Sequence, residues 1–445
     1  MRERLAAHFM IPEKSPWLKF DYVLLFTTLC LIVYGLLLIS SATTLPPGQA
    51  WAFWDNPVTK QVVYAAIGLV LMTLVAVVDY RILGFSPAGR ALFPGAREEE
   101  FEAAGLILHH EQYSPHPRLR ERFDLGHFLA AMAEGLLNPF YLINLGLLVL
   151  VLLVGQSTLG ARRWIDLKLF PLQPSELAKF LLIVALARFL AANQEQIGRF
   201  VYLVGSLLLV GIPILLIFRE PDLGTAVILA VVWLGMAVVA GARLRHITIV
   251  GLVGLLSSPL VWFFLLSAYQ KRRLFTFLNP QADPLGDGYN VIQSLISVGA
   301  GGWFGRGLGS GTQSQLHFLR IQHTDFIFSV LAEELGFVGA LFLFSLFIVV
   351  LMRGVRIATS ASDSFGQLLA SGAVVLLLFQ VWLNVGMNIG LLPVTGVPLP
   401  FISAGGSSLL SMLMIQGLLE SVAVHRRRRD IVSRDTVIQA LEYAP

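Results

Sequence analysis

The chain has 445 residues, 56% of them hydrophobic and 13% charged, with a mean hydropathy of +0.73. So few charges cannot solvate the surface of a water-soluble protein of this length, and so much apolar surface excludes a disordered one. The net charge of +4 (32 basic against 28 acidic side chains) suits loops at an anionic membrane surface rather than nucleic acid, and a single cysteine, Cys30, excludes a disulfide framework within the chain.

The first 20 residues are mixed in character and carry Arg2, Arg4, Lys14 and Lys19. The apolar run from Tyr22 to Ala42 is too long for a signal-peptide core and reads as a retained first span. Further runs are long enough to cross a ~30 Å hydrocarbon core as helices. Spans are predicted near 21–42, 58–79, 139–156, 175–192, 200–218, 222–241, 247–268, 325–352, 364–388 and 403–424. The fold class is therefore an all-α polytopic membrane protein of about ten transmembrane helices. Barrel strands would show as short alternating segments instead. Asn138 before Pro139 and Thr324 before Asp325 mark helix starts.

An even number of spans puts both ends of the chain on one side. Arg426 to Arg429 follow the last span directly, and Arg243, Arg245, Arg353 and Arg356 fall in loops on that same side. The positive-inside rule makes this side cytoplasmic. The transmembrane domain is then 21–424, with cytoplasmic ends at 1–20 and 425–445. Arg162, Arg163, Lys168, Arg219, Lys271, Arg272, Arg273, Arg306 and Arg320 fall on the outer side, against that rule. Two readings stand. They pair with Asp166, Glu220 and Asp222 at the membrane surface, or they form a basic basin for an anionic substrate such as a pyrophosphate.

Two long segments interrupt the spans. Residues 80–138 form a cytoplasmic insertion of mixed charge, predicted to carry one or two amphipathic helices on the membrane surface. Its His109, His110 and His116 lack a carboxylate at helical ligand spacing and read as solvated. Residues 268–323 form a long extracytoplasmic loop between helices 7 and 8, with glycines at 299, 301, 302, 305, 307, 309 and 311. A loop of this length implies function. Its glycines lack the strand–turn–helix setting of a nucleotide site.

Polar residues inside spans need a partner or a wet cavity. Glu176 and Lys179 share one face of the fourth span, as a local ion pair or as the lining of an outward-facing cavity. Glu333 and Glu334 are adjacent in the eighth span and point about 100° apart, so they cannot both face one neighbour. Gln380, Asn384 and Asn388 recur every four residues as a polar stripe suited to interhelical hydrogen bonds. The segment 392–400, Leu-Pro-Val-Thr-Gly-Val-Pro-Leu-Pro, is a rigid outer connection.

Several stretches resemble the SEDS family of membrane glycosyltransferases. They are Gly160-Ala-Arg-Arg-Trp-Ile-Asp166, Gln173-Pro-Ser-Glu-Leu-Ala-Lys179, Glu220-Pro-Asp-Leu-Gly-Thr-Ala226, Asp283-Pro-Leu-Gly-Asp-Gly-Tyr289, His323-Thr-Asp-Phe-Ile-Phe328 and Pro398-Leu-Pro-Phe-Ile-Ser403 with Gly405-Gly-Ser-Ser408. Gly311-Thr-Gln-Ser-Gln-Leu316 is similar to the rod-shape branch of that family. The likeness covers nearly all of 20–425 except the insertion. Ile321-Gln322 and Ala404 depart from the family pattern.

The resemblance implies an enzyme of the bacterial cytoplasmic membrane that polymerises lipid II into glycan strands at the outer face during cell elongation. Undecaprenyl pyrophosphate is the leaving group, so no nucleotide is required. It implies that Asp283 is the essential carboxylate, a general base for the acceptor hydroxyl, whereas from spacing alone Asp283-Pro284 reads first as a turn start. Glu176 and Lys179 match cavity residues, and Arg162, Glu176, Lys179, Arg219, Lys271 and Arg272 are the candidate substrate-binding residues. A divalent cation, Mg or Mn, would assist departure of the pyrophosphate, although the sequence shows no dedicated cage. The implied partners are a class B penicillin-binding protein, other elongation-complex membrane proteins and membrane lipids. The competing class is a transporter or flippase of lipid-linked precursors, which would show two related halves with interrupted helices near the midplane.

Overall fold

The structure is a computed structural model that describes residues 19–43, 51–52, 54–84, 124–158, 161–166, 171–286, 288–316, 318–319 and 322–426. Helices stand at all ten expected positions: α1 (Tyr22–Ala42), α2 (Pro57–Val77), α4 (Pro139–Val154), α5 (Pro174–Ala192), α6 (Phe200–Arg219), α7 (Leu223–Val239), α8 (Leu244–Leu260), α12 (Ile327–Thr359), α13 (Ser364–Asn388) and α14 (Gly406–Val424). Four others intervene: α3 (Leu125–Leu136), α9 (Ala268–Leu278), α10 (Tyr289–Ala300) and the single turn α11 (Thr312–Gln315). A small antiparallel sheet, β1 (Gln156–Thr158), β2 (Ala161–Asp166) and β3 (Pro171–Leu172), joins α4 to α5.

Seven of the described helices are long and apolar enough to cross a membrane, or eight if bent α3 and α4 are one span. The expected ten is thus not reached by length and composition alone. Helix α7 is 17 residues long and α4 is 16, while α5 carries Glu176, Lys179 and Arg188.

Helix starts follow their caps. Asn138 caps α4 through its side chain to the Phe140 amide at 2.9 Å, as predicted. Thr324 does not cap α12, which begins three residues later at Ile327 with no side-chain cap. The core runs through α13, which packs on α12, α7, α5 and α14, while α14 lies along α2. Helix α8 and its π-helical extension Val261–Leu265 bury only His246 and keep apolar faces outward, as a lipid-facing span does.

The two ends of the described bundle meet on one face. The Asp21 amide donates to Glu420 at 2.9 Å, and Arg353 donates from Nε to Asp21 Oδ2 at 2.9 Å. Beside them Tyr80 donates to Asp363 at 2.7 Å and Arg81 to the same carboxylate at 3.2 Å. This near face places the start of α1 with the ends of α12 and α14, as an even number of crossings requires.

The expected 80–138 insertion is shorter at both described ends. Residues Tyr80–Gly84 form a 3-10 turn against α14 and α13. Helix α3 packs on α5 and α6: Glu134 pairs with Arg188, Gly135 meets Leu209 and Phe189, and His127 hydrogen-bonds Tyr202 at 2.8 Å. Helix α3 buries only Ala131 and Gly135 against the bundle and leaves Leu125, Leu129 and Leu136 exposed. His109, His110 and His116 lie outside the described residues.

Candidate active site

The site is built at the far face, around the connection between α13 and α14. Residues 391–405 form no helix or strand, so their carbonyls need outside donors. The amide stripe of α13 supplies them. Gln380 Nε2 donates to Pro398 O at 3.0 Å, Asn384 Nδ2 to Val397 O at 2.8 Å, and Asn388 Nδ2 to Asp325 O at 3.0 Å. Ser403 Oγ donates to Thr324 O at 2.6 Å and accepts from the Leu399 amide at 2.8 Å. From α2, Gln61 donates to Ser403 O at 3.1 Å and accepts from the Gly405 amide at 3.1 Å. The stripe is therefore structural glue between helix and connection.

Beneath this connection lie Glu176 and Lys179, both buried. Lys179 Nζ stands 2.7 Å from Glu176 Oε2 and donates to Gln380 Oε1 at 3.1 Å. The charges are close, although the angles at that carboxylate oxygen do not make a hydrogen bond. The pair closes on itself, with no part of Lys179 reaching solvent.

One wall carries Asp222, which caps α7. It accepts from the Thr225 amide at 3.2 Å and the Thr225 hydroxyl at 3.0 Å, and from Gln173 and Ser175 at 3.4 Å each. Arg163 of β2 donates to two main-chain carbonyls, Glu220 O at 2.8 Å and Pro221 O, rather than to the carboxylates expected to pair with it. A carbonyl pair at a helix end offers the guanidinium fork two acceptors already freed from the helix ladder. Glu220 is fully buried and neither of its carboxylate oxygens has a hydrogen-bond partner. Burial, reinforced by Asp222 and opposed by Arg163, pushes its pKa up to about 8. Burial also raises Asp325 to about 6, against the pull of Arg273.

Asp283 lies past α9 and the 3-10 turn Pro280–Ala282, in an exposed turn. Its Oδ1 accepts from the Gly286 amide at 3.1 Å and its main-chain oxygen from the Gly288 amide at 3.0 Å. The turn geometry expected of Asp-Pro is present, and it leaves the carboxylate at the surface. Arg219 and Arg272 are exposed and Lys271 is half-buried. Arg162 sits on β2 beside Arg163, and its side chain lies outside the described residues.

The glycine-rich part of the expected long loop is packed against the bundle. Helix α10 is fixed by Ser294, which bonds Asn388 O at 2.8 Å and the Ser329 hydroxyl at 2.6 Å. Residues 301–307 are then spliced into α12. Gly336 breaks that helix at φ 65°, ψ −160°, a conformation essentially reserved for glycine. The amides of Phe337 and Val338 donate to Gly302 O at 2.9 Å and Trp303 O at 3.0 Å. The carbonyls of Glu333 and Glu334, four residues earlier, accept instead from the Arg306 amide at 3.0 Å and the Gly307 amide at 2.9 Å. Each bond lost by the helix is replaced by one from the loop. The two carboxylates were expected not to share a neighbour, yet both meet Ser314: Glu333 accepts from its amide at 3.2 Å and from the Gln313 amide at 2.9 Å, and Glu334 accepts from its hydroxyl at 3.1 Å and from the Ser41 hydroxyl at 2.7 Å.

Sequence reasoning missed Gln61 and Asp325 as parts of this site and placed Arg273 only among the outer cations. Gln61 was visible as a lone buried amide in an apolar run, and Arg273 as a cation four residues from Tyr269, the spacing at which a guanidinium stacks on a ring. Among the described residues, no three His, Cys, Asp or Glu side chains are grouped to hold a metal, so the donor set does not form a cage for the expected cation.

The comparisons agree on one family. The family described as "Cell cycle protein", FTSW_RODA_SPOVE, matches residues 126–428. The chain is 43% identical over 295 residues to the peptidoglycan glycosyltransferase MrdB of Escherichia coli (strain K12), across 66% of this chain and 79% of that protein. It is 45% identical over 284 residues to the stage V sporulation protein E of Bacillus subtilis (strain 168), across 63% and 77%. Its fold is similar to the rod shape determining protein RodA of Thermus thermophilus, with a TM-score of 0.59 and 28% identity over 93% of this chain and 99% of that one. A chain of a peptidoglycan synthase complex, described as coordinating polymerization and crosslinking, is similar at a TM-score of 0.68 and 29% identity over 92% and 99%.

Proposed function

This chain belongs to the FTSW_RODA_SPOVE family of cell cycle proteins and is a peptidoglycan glycosyltransferase, and we propose that it polymerises lipid II with Asp283 as its general base. The acceptor hydroxyl attacks the anomeric carbon of the donor sugar. Asp283 takes the hydroxyl proton, and the glycosidic bond to undecaprenyl pyrophosphate breaks with its electron pair on the leaving phosphate. A positioned base contributes roughly 10²–10⁴-fold. Arg162, Arg219, Lys271 and Arg272 are the cations proposed to receive the pyrophosphate. Glu176 and Lys179 hold up the connection above them through Gln380.

The observation that carries this reading is the setting of Asp283. Its carboxylate is exposed at the far face, between two helices, α9 and α10, that are each tied to the bundle core. A transporter path is disfavoured by the engagement of Glu333 and the α13 stripe, which spend their hydrogen bonds on amides, hydroxyls and carbonyls. Helix α12, interrupted at Gly336, is filled by the glycine-rich segment at its break.

The far face is proposed as the outer face of the cytoplasmic membrane, with both ends of the chain cytoplasmic, because Arg243, Arg353 and Arg356 sit on the near side. The partner proposed for crosslinking is a class B penicillin-binding protein, in line with the similar synthase complex. The test is Asp283→Asn in purified, folded protein given lipid II. Polymerisation is expected to fall by about 10²-fold or more with thermal stability unchanged. A near-parental rate would remove Asp283 from the chemistry.

A further inference from the structure

Resting on the assignment of Asp283 as base, we propose that Arg273 is the positioning residue that holds that base over the site. Asp283 hangs between two arms. On its C-terminal side α10 is locked by Ser294 and by the splice into α12. On its N-terminal side α9 has no comparable anchor. It is capped at its start by Ser267 and Gln270, and it leans on the π-helical end of α8 through Trp262 and Phe275, whose rings are 5.6 Å apart. That end is itself lipid-facing and loosely held.

Among the described residues, Arg273 is the one side chain of α9 that hydrogen-bonds to a different part of the bundle. Its Nη1 donates to Val394 O at 3.1 Å, in the connection that the α13 stripe holds rigid. Its Nη2 donates to the Tyr269 hydroxyl, and the guanidinium stacks 4.6 Å from the Tyr269 ring centroid. The ring, one turn earlier, fixes the plane of the fork so that its other arm reaches the carbonyl. The same cation faces Asp325, and its charge acts on that carboxyl. Gly396, at φ 73°, brings the connection up to both groups: a Cβ there would stand at ordinary contact, 3.6 Å from Asp325 Oδ2 and 3.7 Å from Arg273 Nη1.

Arg273 therefore couples α9 to the rigid connection, and α9 ends five residues before Asp283. Cutting this tie frees one arm of the turn. The base is then displaced together with Lys271 and Arg272 of the same helix, while Arg162 and Arg219 stay in place, so kcat falls by more than KM rises. Misplacing a catalytic group by about 1 Å costs on the order of 10²-fold.

The experiment uses full-length protein in detergent with lipid II, in a Cys30→Ala background with a spin label on Leu278→Cys at the end of α9. Arg273→Ala is expected to raise label mobility and lower kcat by about 10-fold or more, with a smaller rise in KM. Arg273→Lys retains one donor to Val394 O but not the fork, and is expected to recover part of both signals. Unchanged label mobility, or an equal rise in KM, would overturn the proposal. If Arg273→Ala fails to fold, Tyr269→Phe, which removes only the hydroxyl that orients the fork, must still loosen the label, and a rigid label there overturns the proposal equally. Asp283→Asn measured in parallel separates the two ideas. A near-parental rate in that variant refutes the base whatever Arg273 does, whereas a dead Asp283→Asn beside a fully active Arg273→Ala refutes only the tie.

Discussion

Replacing Lys179 by methionine separates a structural pair from a substrate contact. The ammonium is fully buried, 2.7 Å from Glu176 and 3.1 Å from Gln380. Methionine keeps the apolar stem and removes the charge. Glu176 is then a buried carboxylate without its cation, and Gln380 loses the donor that orients it toward Pro398. Breaking a buried pair by removing one partner costs about 3–5 kcal/mol, more than a hundredfold in the folded-to-unfolded ratio. Removing both charges leaves no buried charge unpaired, so Glu176→Gln with Lys179→Met should recover most of that loss. The assay is thermal unfolding in detergent by tryptophan fluorescence, alongside initial polymerisation rates per folded molecule. The single variant should melt well below the parent, and the double variant close to it with activity within a few-fold. A single variant that melts like the parent would refute the energetic role of the pair. A double variant that is stable but inactive would make Lys179 a direct contact to the pyrophosphate.

Gly336→Ala should lower the melting temperature and expose 301–307 to limited proteolysis, because a side chain at φ 65° is strained by about 1–3 kcal/mol and would press on the Phe304–Gly305 backbone. Replacing 86–122 by a short flexible linker should leave lipid II polymerisation intact, whereas a deletion running on to Pro139 removes α3 and its Glu134–Arg188 pair and should abolish folding, read by size-exclusion profile. Asp325 has its carboxyl raised to about 6, so its stabilising protonation is fully present below the unfolded value and is lost as pH rises through 6. Asp325→Asn should therefore flatten the fall in melting temperature between about pH 4 and 6, and an unaltered slope would assign that fall to other groups.

The helical spans were legible because each rests on a local property, a run of apolar residues bounded by charge or by a cap such as Asn138. The site was legible in pieces. The pairing of Glu176 with Lys179 follows from helical spacing, and the α13 stripe announced its hydrogen bonds by its period. The partners of that stripe were not legible, because they are main-chain carbonyls 13 to 63 residues away in sequence. The splice was hidden for a similar reason. Seven nearby glycines show that the backbone is free to turn, but not that it substitutes for the missing ladder of a helix which starts after it. Arg163 was expected to seek carboxylates and instead found carbonyls, since a helix end frees acceptors that no count of charges reveals.

The contact between Asp21 and Glu420 spans 399 residues. It makes the bundle a ring that shuts with its final member: α14 must leave the insertion machinery before α2 has its neighbour or Asp21 its carboxylate. Nascent chains halted in α13 should thus be substrates for membrane proteases, while the completed chain is not. The same closure makes the ends interchangeable with the interior. A circular permutant that joins the region after Val424 to the region before Tyr22, and opens new ends within 86–122, keeps every contact described here and should assemble the same site.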